Sequence, residues 1–107
     1  MDEIPAGPVR ALLDAVRRGD NAAFAELFGE RGVVDDWGRV FTGREEVAGW
    51  SRRELIGLRG TLTVRHLAAS DRLAVDIATD GGYNGPGILT FTLADDGAHI
   101  TRMAMTD

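Results

Sequence analysis

Apolar positions recur at helical spacing through the first part of the chain and at strand spacing through its second half. Val9, Leu12, Leu13 and Val16 fall at i, i+3, i+4 and i+7, one stripe of a helix that Pro8 can open and Gly19 can close. Asp20 is placed to cap a second short helix, in which Ala23, Phe24, Leu27 and Phe28 share a face and Gly29 ends the turn. A strand over Val33–Phe41 follows, and Thr42-Gly43-Arg44-Glu45 fits a capping box at the start of a third helix. Along that helix Val47, Trp50, Glu54 and Leu58 lie on one side, until Gly57 and Gly60 stop it. From Thr61 the period is two. The pattern predicts strands over Thr61–Ala69, Arg72–Asp80, Gly87–Ala94 and Ala98–Thr106, joined by a Ser70-Asp71 turn, a glycine-rich loop and an Asp95-Asp96-Gly97 turn. Three helices followed by an antiparallel meander define an α+β fold, because each apolar helix face needs the sheet to cover it.

Length and composition narrow the reading. The 107 residues are expected to form one domain, with only 1–7 loosely held. A net charge of −5 with scattered arginines speaks against a nucleic-acid partner. The opening residues lack a basic and apolar leader pattern, and no apolar run is long enough to span a bilayer, so no membrane partner and a cytoplasmic location are expected. Without cysteine there is no disulfide, thiol nucleophile or thiolate metal site. All 12 basic residues are arginine, which excludes a lysine Schiff base, and the two serines sit in no Gly-x-Ser-x-Gly. His66 and His99 lie far apart and outside any metal-ligand spacing, so no metal is expected. Acid–base work falls to Asp, Glu, the two histidines and Tyr83.

The densest candidate is Val33-Val34-Asp35-Asp36-Trp37-Gly38. Side chains alternate along a strand, so whichever face of this segment is buried takes one aspartate with it. A buried carboxyl without partners costs several kcal/mol, and its desolvation suits a general acid or base.

The order of elements, with Arg18-Gly19-Asp20, Leu27-Phe28, Val34-Asp35-Asp36, Gly43 with Val47 and Trp50, and Gly97-x-x-Ile100-x-Arg102, resembles the nuclear transport factor 2-like superfamily, particularly its small SnoaL-like members. The resemblance covers nearly the whole chain. It implies a cone-shaped roll of three N-terminal helices packed on a strongly curved antiparallel or mixed β-sheet, with a pocket at the open end and a homodimer through the outer sheet face. The implied ligand is a small hydrophobic molecule, and no cofactor is needed.

Ketosteroid isomerase, in the same superfamily, carries its general base where this chain has Asp36. Leu12 and Leu89 stand where that enzyme has its two oxyanion donors, so activity of that specific kind is not implied. The resemblance turns Arg102 inward, to hold a developing oxyanion or to pair with Asp36. Limonene epoxide hydrolases use an Asp-Arg-Asp set that Asp36, Arg102 and Asp76 loosely imitate, but no strand here carries Arg-x-Asp. Asp76 faces the pocket by the resemblance and solvent by simple alternation. Trp37 is a ligand contact or a cover for the core edge, and Trp50 is core, pocket floor or both. Glu54 is a second carboxylate at the cavity mouth or a surface partner of Arg52 or Arg53. Tyr83 is a lid residue or a turn-tip aromatic, His66 a pocket or surface histidine, and Leu89 and Phe91 pocket wall or filling. The expected function is a cofactor-independent isomerase, cyclase or lyase acting on a hydrophobic carbonyl compound. The alternative is a non-catalytic ligand-binding or dimeric accessory module.

Overall fold

The computed structural model describes residues 4–107. Helices α1 (Pro8–Arg18) and α2 (Asn21–Glu26) lead into β1 (Phe28–Asp36) and β2 (Arg39–Thr42). Next come α3 (Arg44–Glu54), a 3-10 turn (Ile56–Leu58), and strands β3 (Thr61–Ala69), β4 (Arg72–Ala78), β5 (Gly85–Leu93) and β6 (Ile100–Thr106). The six strands form one sheet in the order β2-β1-β6-β5-β4-β3. The meander is antiparallel, whereas β1 runs parallel to β6, which makes the sheet mixed. Three helices pack on this irregular, bulged sheet, the α+β arrangement expected from the sequence.

Local chemistry sets the element ends. Gly19 adopts the left-handed conformation that closes α1, and Asp20 accepts a hydrogen bond from the Ala23 N–H at 3.0 Å to cap α2. The second helix stops before Phe28 rather than at Gly29. There the sheet outcompetes it, since the Leu27 carbonyl accepts from Ile100 N at 2.8 Å and Phe28 pairs with Ile100. The third helix is capped one residue later than the capping box implied. Gly43 is its N-cap and contributes no side-chain bond, and Glu46 rather than Glu45 accepts from the Thr42 N–H, at 3.0 Å. Gly57 follows the end of α3 at a point where a Cβ would lie 1.6 Å from the Arg52 carbonyl oxygen, so no side chain fits there.

The core lies between the helices and the inner sheet face. Leu12, Phe24, Phe28, Val34, Leu73 and Leu89 are fully buried in it. Strand β6 departs from simple alternation, because the β5 register shifts between Thr92 and Leu93. Ile100, Met103 and Met105 all point inward, and Arg102 is exposed on the other side. Met103 and Met105, which an inward Arg102 would have set on the outer face, are therefore part of the core. Of the stretch 1–7, residues 1–3 lie outside the described residues, Ile4 packs half-buried against the core, and residues 5–7 are exposed.

Candidate functional site

The predicted strand Val33–Phe41 is a hairpin. Asp36 and Arg39 face each other across a two-residue turn, Trp37-Gly38, and both turn residues have positive φ, 46° and 94°. Such a turn matches the right-handed twist of its flanking strands, and Gly38 adopts it freely. Trp37 does not, and a non-glycine residue held there costs on the order of 1 kcal/mol or more. Tertiary contacts hold it. Its N–H donates to the Met105 carbonyl at 3.2 Å, its indole Nε1 donates to Asp107 Oδ1 at 2.9 Å, and its ring meets Tyr83 with centroids 4.9 Å apart. Glycines at the start of β5 make space for these rings. A Cβ on Gly87 would sit 3.4 Å from the Trp37 ring, and one on Gly85 would sit 3.0 Å from the Tyr83 hydroxyl.

Of the two aspartates, Asp36 is the one turned inward. Its side chain is only 11% exposed, and Oδ2 accepts a hydrogen bond from Trp50 Nε1 at 3.0 Å and a second from Arg39. Among the described residues no donor is placed on Oδ1. Asp35 points the other way, pairs with Arg102 and accepts from the Gly38 N–H at 2.8 Å. The hairpin brings Arg39 back beside Asp36, and its Nη2 also donates to Glu54 Oε1 at 2.6 Å, while its guanidinium lies 5.8 Å from the Phe41 ring centroid. Glu54, and after it Asp36, holds the Arg39 guanidinium above its ordinary range against an opposing desolvation. The cation is permanent at any working pH.

These side chains line a cleft of about 400 Å³ whose apolar surface comes from Leu55, Ile77 and Met105. It brings together Asp36, Trp37, Trp50, Glu54 and Tyr83 from three separate segments, and adds Arg39 and Asp107, which the sequence pattern did not single out. A hairpin signal would have found Arg39, but Trp37-Gly38 is not one of the Asn-Gly or Asp-Gly pairs that announce such turns. Glu54 pairs with Arg39, not with Arg52 or Arg53.

The remaining candidates lie elsewhere. Arg102 is on the outer face with Asp35, because the β6 irregularity reverses the orientation that the resemblance implied. Asp76 is also outward, with Arg65 at 2.6 Å, while Leu73, Val75 and Ile77 are buried; simple alternation holds on β4. His66 lies in a separate groove of about 820 Å³ between α1 and β3. Leu89 and Phe91 are core residues that do not reach the Asp36 cleft. Among the described residues no group of three or more His, Asp or Glu is arranged to hold a metal ion, and His99 is occupied by Asp96 at 2.7 Å.

No family model matches the sequence, and no curated protein matches it. Solved structures do. A putative polyketide cyclase from Sinorhizobium meliloti superposes with a TM-score of 0.74 at 19% identity, over 92% of this chain and 93% of that one. The Delta 5-3-ketosteroid isomerase from Mycobacterium sp. does so with a TM-score of 0.71 at 18% identity, over 94% and 89%. A Mycobacterium tuberculosis protein in complex with estradiol-17beta-hemisuccinate gives a TM-score of 0.72 at 20% identity, over 92% and 88%. The chain has the nuclear transport factor 2-like fold.

Proposed function

We propose that the cleft binds a small hydrophobic carbonyl compound and that Asp36 moves a proton at the carbon next to the carbonyl, without a cofactor. One observation carries this reading: Asp36 is anchored through Oδ2 alone, while Oδ1 has no donor among the described residues, in a carboxylate that lines an apolar and aromatic cleft. A base needs a fixed orientation and an open lone pair, and a cleft that excludes water strengthens its interaction with the substrate. Arg39 takes the role that the resemblance implied for Arg102. Its Nη2 is engaged by the two carboxylates, and its other N–H groups are donors for the oxygen that gains charge as the proton leaves. Trp37, Trp50 and Tyr83 supply the apolar walls, and Glu54 positions Arg39. A neighbour that holds a steroid ester and another that isomerises ketosteroids support a small hydrophobic ligand for this chain as well.

The test is exchange of α-protons for deuterium across a panel of hydrophobic ketones in D2O, followed by proton NMR. The protein should accelerate exchange for at least one ketone, and Asp36→Asn should reduce that by about 10²–10⁴-fold, the usual worth of a positioned base. Binding without any exchange would favour the second reading, a ligand-binding module that uses the same cleft. We further propose a homodimer through the outer sheet face, where Val40 is exposed and Val33, Ile88 and Ala104 are half-buried; sedimentation of Val40→Glu against the parent chain tests it.

A further inference from the structure

The charges around the cleft do not balance. Among the described residues three carboxylates, Asp36, Glu54 and Asp107, share it with one cation, Arg39, and that cation is divided between Asp36 and Glu54. Asp107 is held by a neutral donor, the Trp37 indole. An anionic ligand would therefore enter a field of its own sign, and its one counter-charge is already shared. A neutral ligand would leave the surplus negative charge facing a newly dried surface, where each unpaired charge is worth more than in water. The walls point the same way. Trp37 and Tyr83 meet at 43° with centroids 4.9 Å apart, and both line the cleft together with the carboxylates and Trp50. The face of an aromatic ring carries negative potential and attracts a cation, tryptophan most strongly.

We infer that the ligand of this cleft carries a protonated amine next to its apolar body, with the ammonium seated between the Trp37–Tyr83 faces and the carboxylates of Glu54 and Asp107. The inference rests on the cleft being the ligand site. It narrows the substrate class to an amine-bearing hydrophobic carbonyl compound. Arg39 keeps its place beside the carbonyl, and the ammonium supplies the positive charge that Glu54 and Asp107 together still lack.

Both tryptophans of the chain line the cleft, so intrinsic fluorescence reports its occupancy directly. The probes are three compounds of one shape: 4-phenylcyclohexanone, 4-phenylcyclohexylamine and 4-phenylcyclohexanecarboxylate, titrated at pH 7 and low salt. The amine should bind at least about tenfold more tightly than the ketone, equivalent to about 1.4 kcal/mol, with the carboxylate weakest. That preference should shrink by about threefold or more in Glu54→Gln and in Asp107→Asn, each a single loss of charge at the cleft. Asp107→Asn lies in no core contact and keeps the test open if Glu54→Gln unfolds. Equal or tighter binding of the ketone overturns this inference while leaving the cleft as the ligand site. A preference unchanged in both variants overturns the assignment of the ammonium to these carboxylates. If no member of the trio quenches, the cleft itself is not the ligand site, and both readings fall.

Discussion

Replacing Trp50 with phenylalanine removes the neutral donor that anchors Asp36, and its effect can be sized from the geometry. The Trp50 Nε1 bond to Asp36 Oδ2 is 3.0 Å long and buried, with a carboxylate as acceptor. A hydrogen bond to a charged group contributes about 1.5–3 kcal/mol, more than a neutral one, because the acceptor left behind stays desolvated. Trp50 is also 2% exposed and packs against Phe24 and Phe41, with centroids 6.3 and 6.4 Å away. Shrinking it leaves a small cavity worth about 1–2 kcal/mol, scaled down from full truncations to alanine. Trp50→Phe should therefore destabilise the fold by about 2.5–5 kcal/mol, and Asp36→Asn by only about 1 kcal/mol. The smaller figure follows because asparagine still accepts from the indole, and because an ion pair with a half-exposed arginine contributes little. Urea unfolding followed by far-UV circular dichroism, which does not depend on the tryptophans, measures both variants and their combination. The double variant should fall short of additivity by about 1–2 kcal/mol. Additivity within about 0.5 kcal/mol would refute the reasoning, since residues without a shared interaction behave that way.

Other outcomes follow from the same contacts. Trp37→Asn places a residue that tolerates positive φ in the turn; the stability should stay within about 1 kcal/mol of the parent by thermal melting, while quenching of Trp50 by any cleft ligand weakens sharply. Gly57→Ala must displace the Arg52 carbonyl, and a loss above about 3 kcal/mol, seen as an unfolded or strongly destabilised chain, is expected. Asp76→Asn breaks a pair that is exposed on both sides, so the melting temperature and α-proton exchange should both be unchanged; a loss of exchange would return Asp76 to the site.

Most of the architecture could be read from periodicity. The stripe of Val9, Leu12 and Val16, the cap at Asp20 and the alternation of Leu73, Val75 and Ile77 each report burial directly, and the structure places all of them as expected. The burial of one aspartate from the Asp35-Asp36 pair also followed from alternation alone. Two things did not. The Trp37-Gly38 turn breaks a turn rule, because tertiary bonds to Met105 and Asp107 and the Tyr83 contact hold a tryptophan in a conformation it disfavours; with the turn unseen, Arg39 had no reason to join the site. Arg102 was reversed by one extra residue opposite the Thr92–Leu93 irregularity, and a slip of one position sends a side chain to the other face of a sheet. For Asp76 the resemblance and simple alternation pointed to opposite faces of the sheet, and the alternation held. Local patterns carry faces and caps, whereas contacts between residues distant in sequence decide which polar groups meet.

The sharpest trial of Asp36 as the cleft's proton-transfer group is a crystal structure of the protein soaked with 2-naphthol, whose hydroxyl imitates an enol. The ring should lie against Trp37 and Tyr83, the hydroxyl should fall within about 3 Å of Asp36 Oδ1 or of an Arg39 N–H, and Oδ2 should remain on the Trp50 indole. A naphthol bound elsewhere, or an Asp36 carboxylate turned away from the cleft with Oδ1 in bulk water, would contradict the assignment.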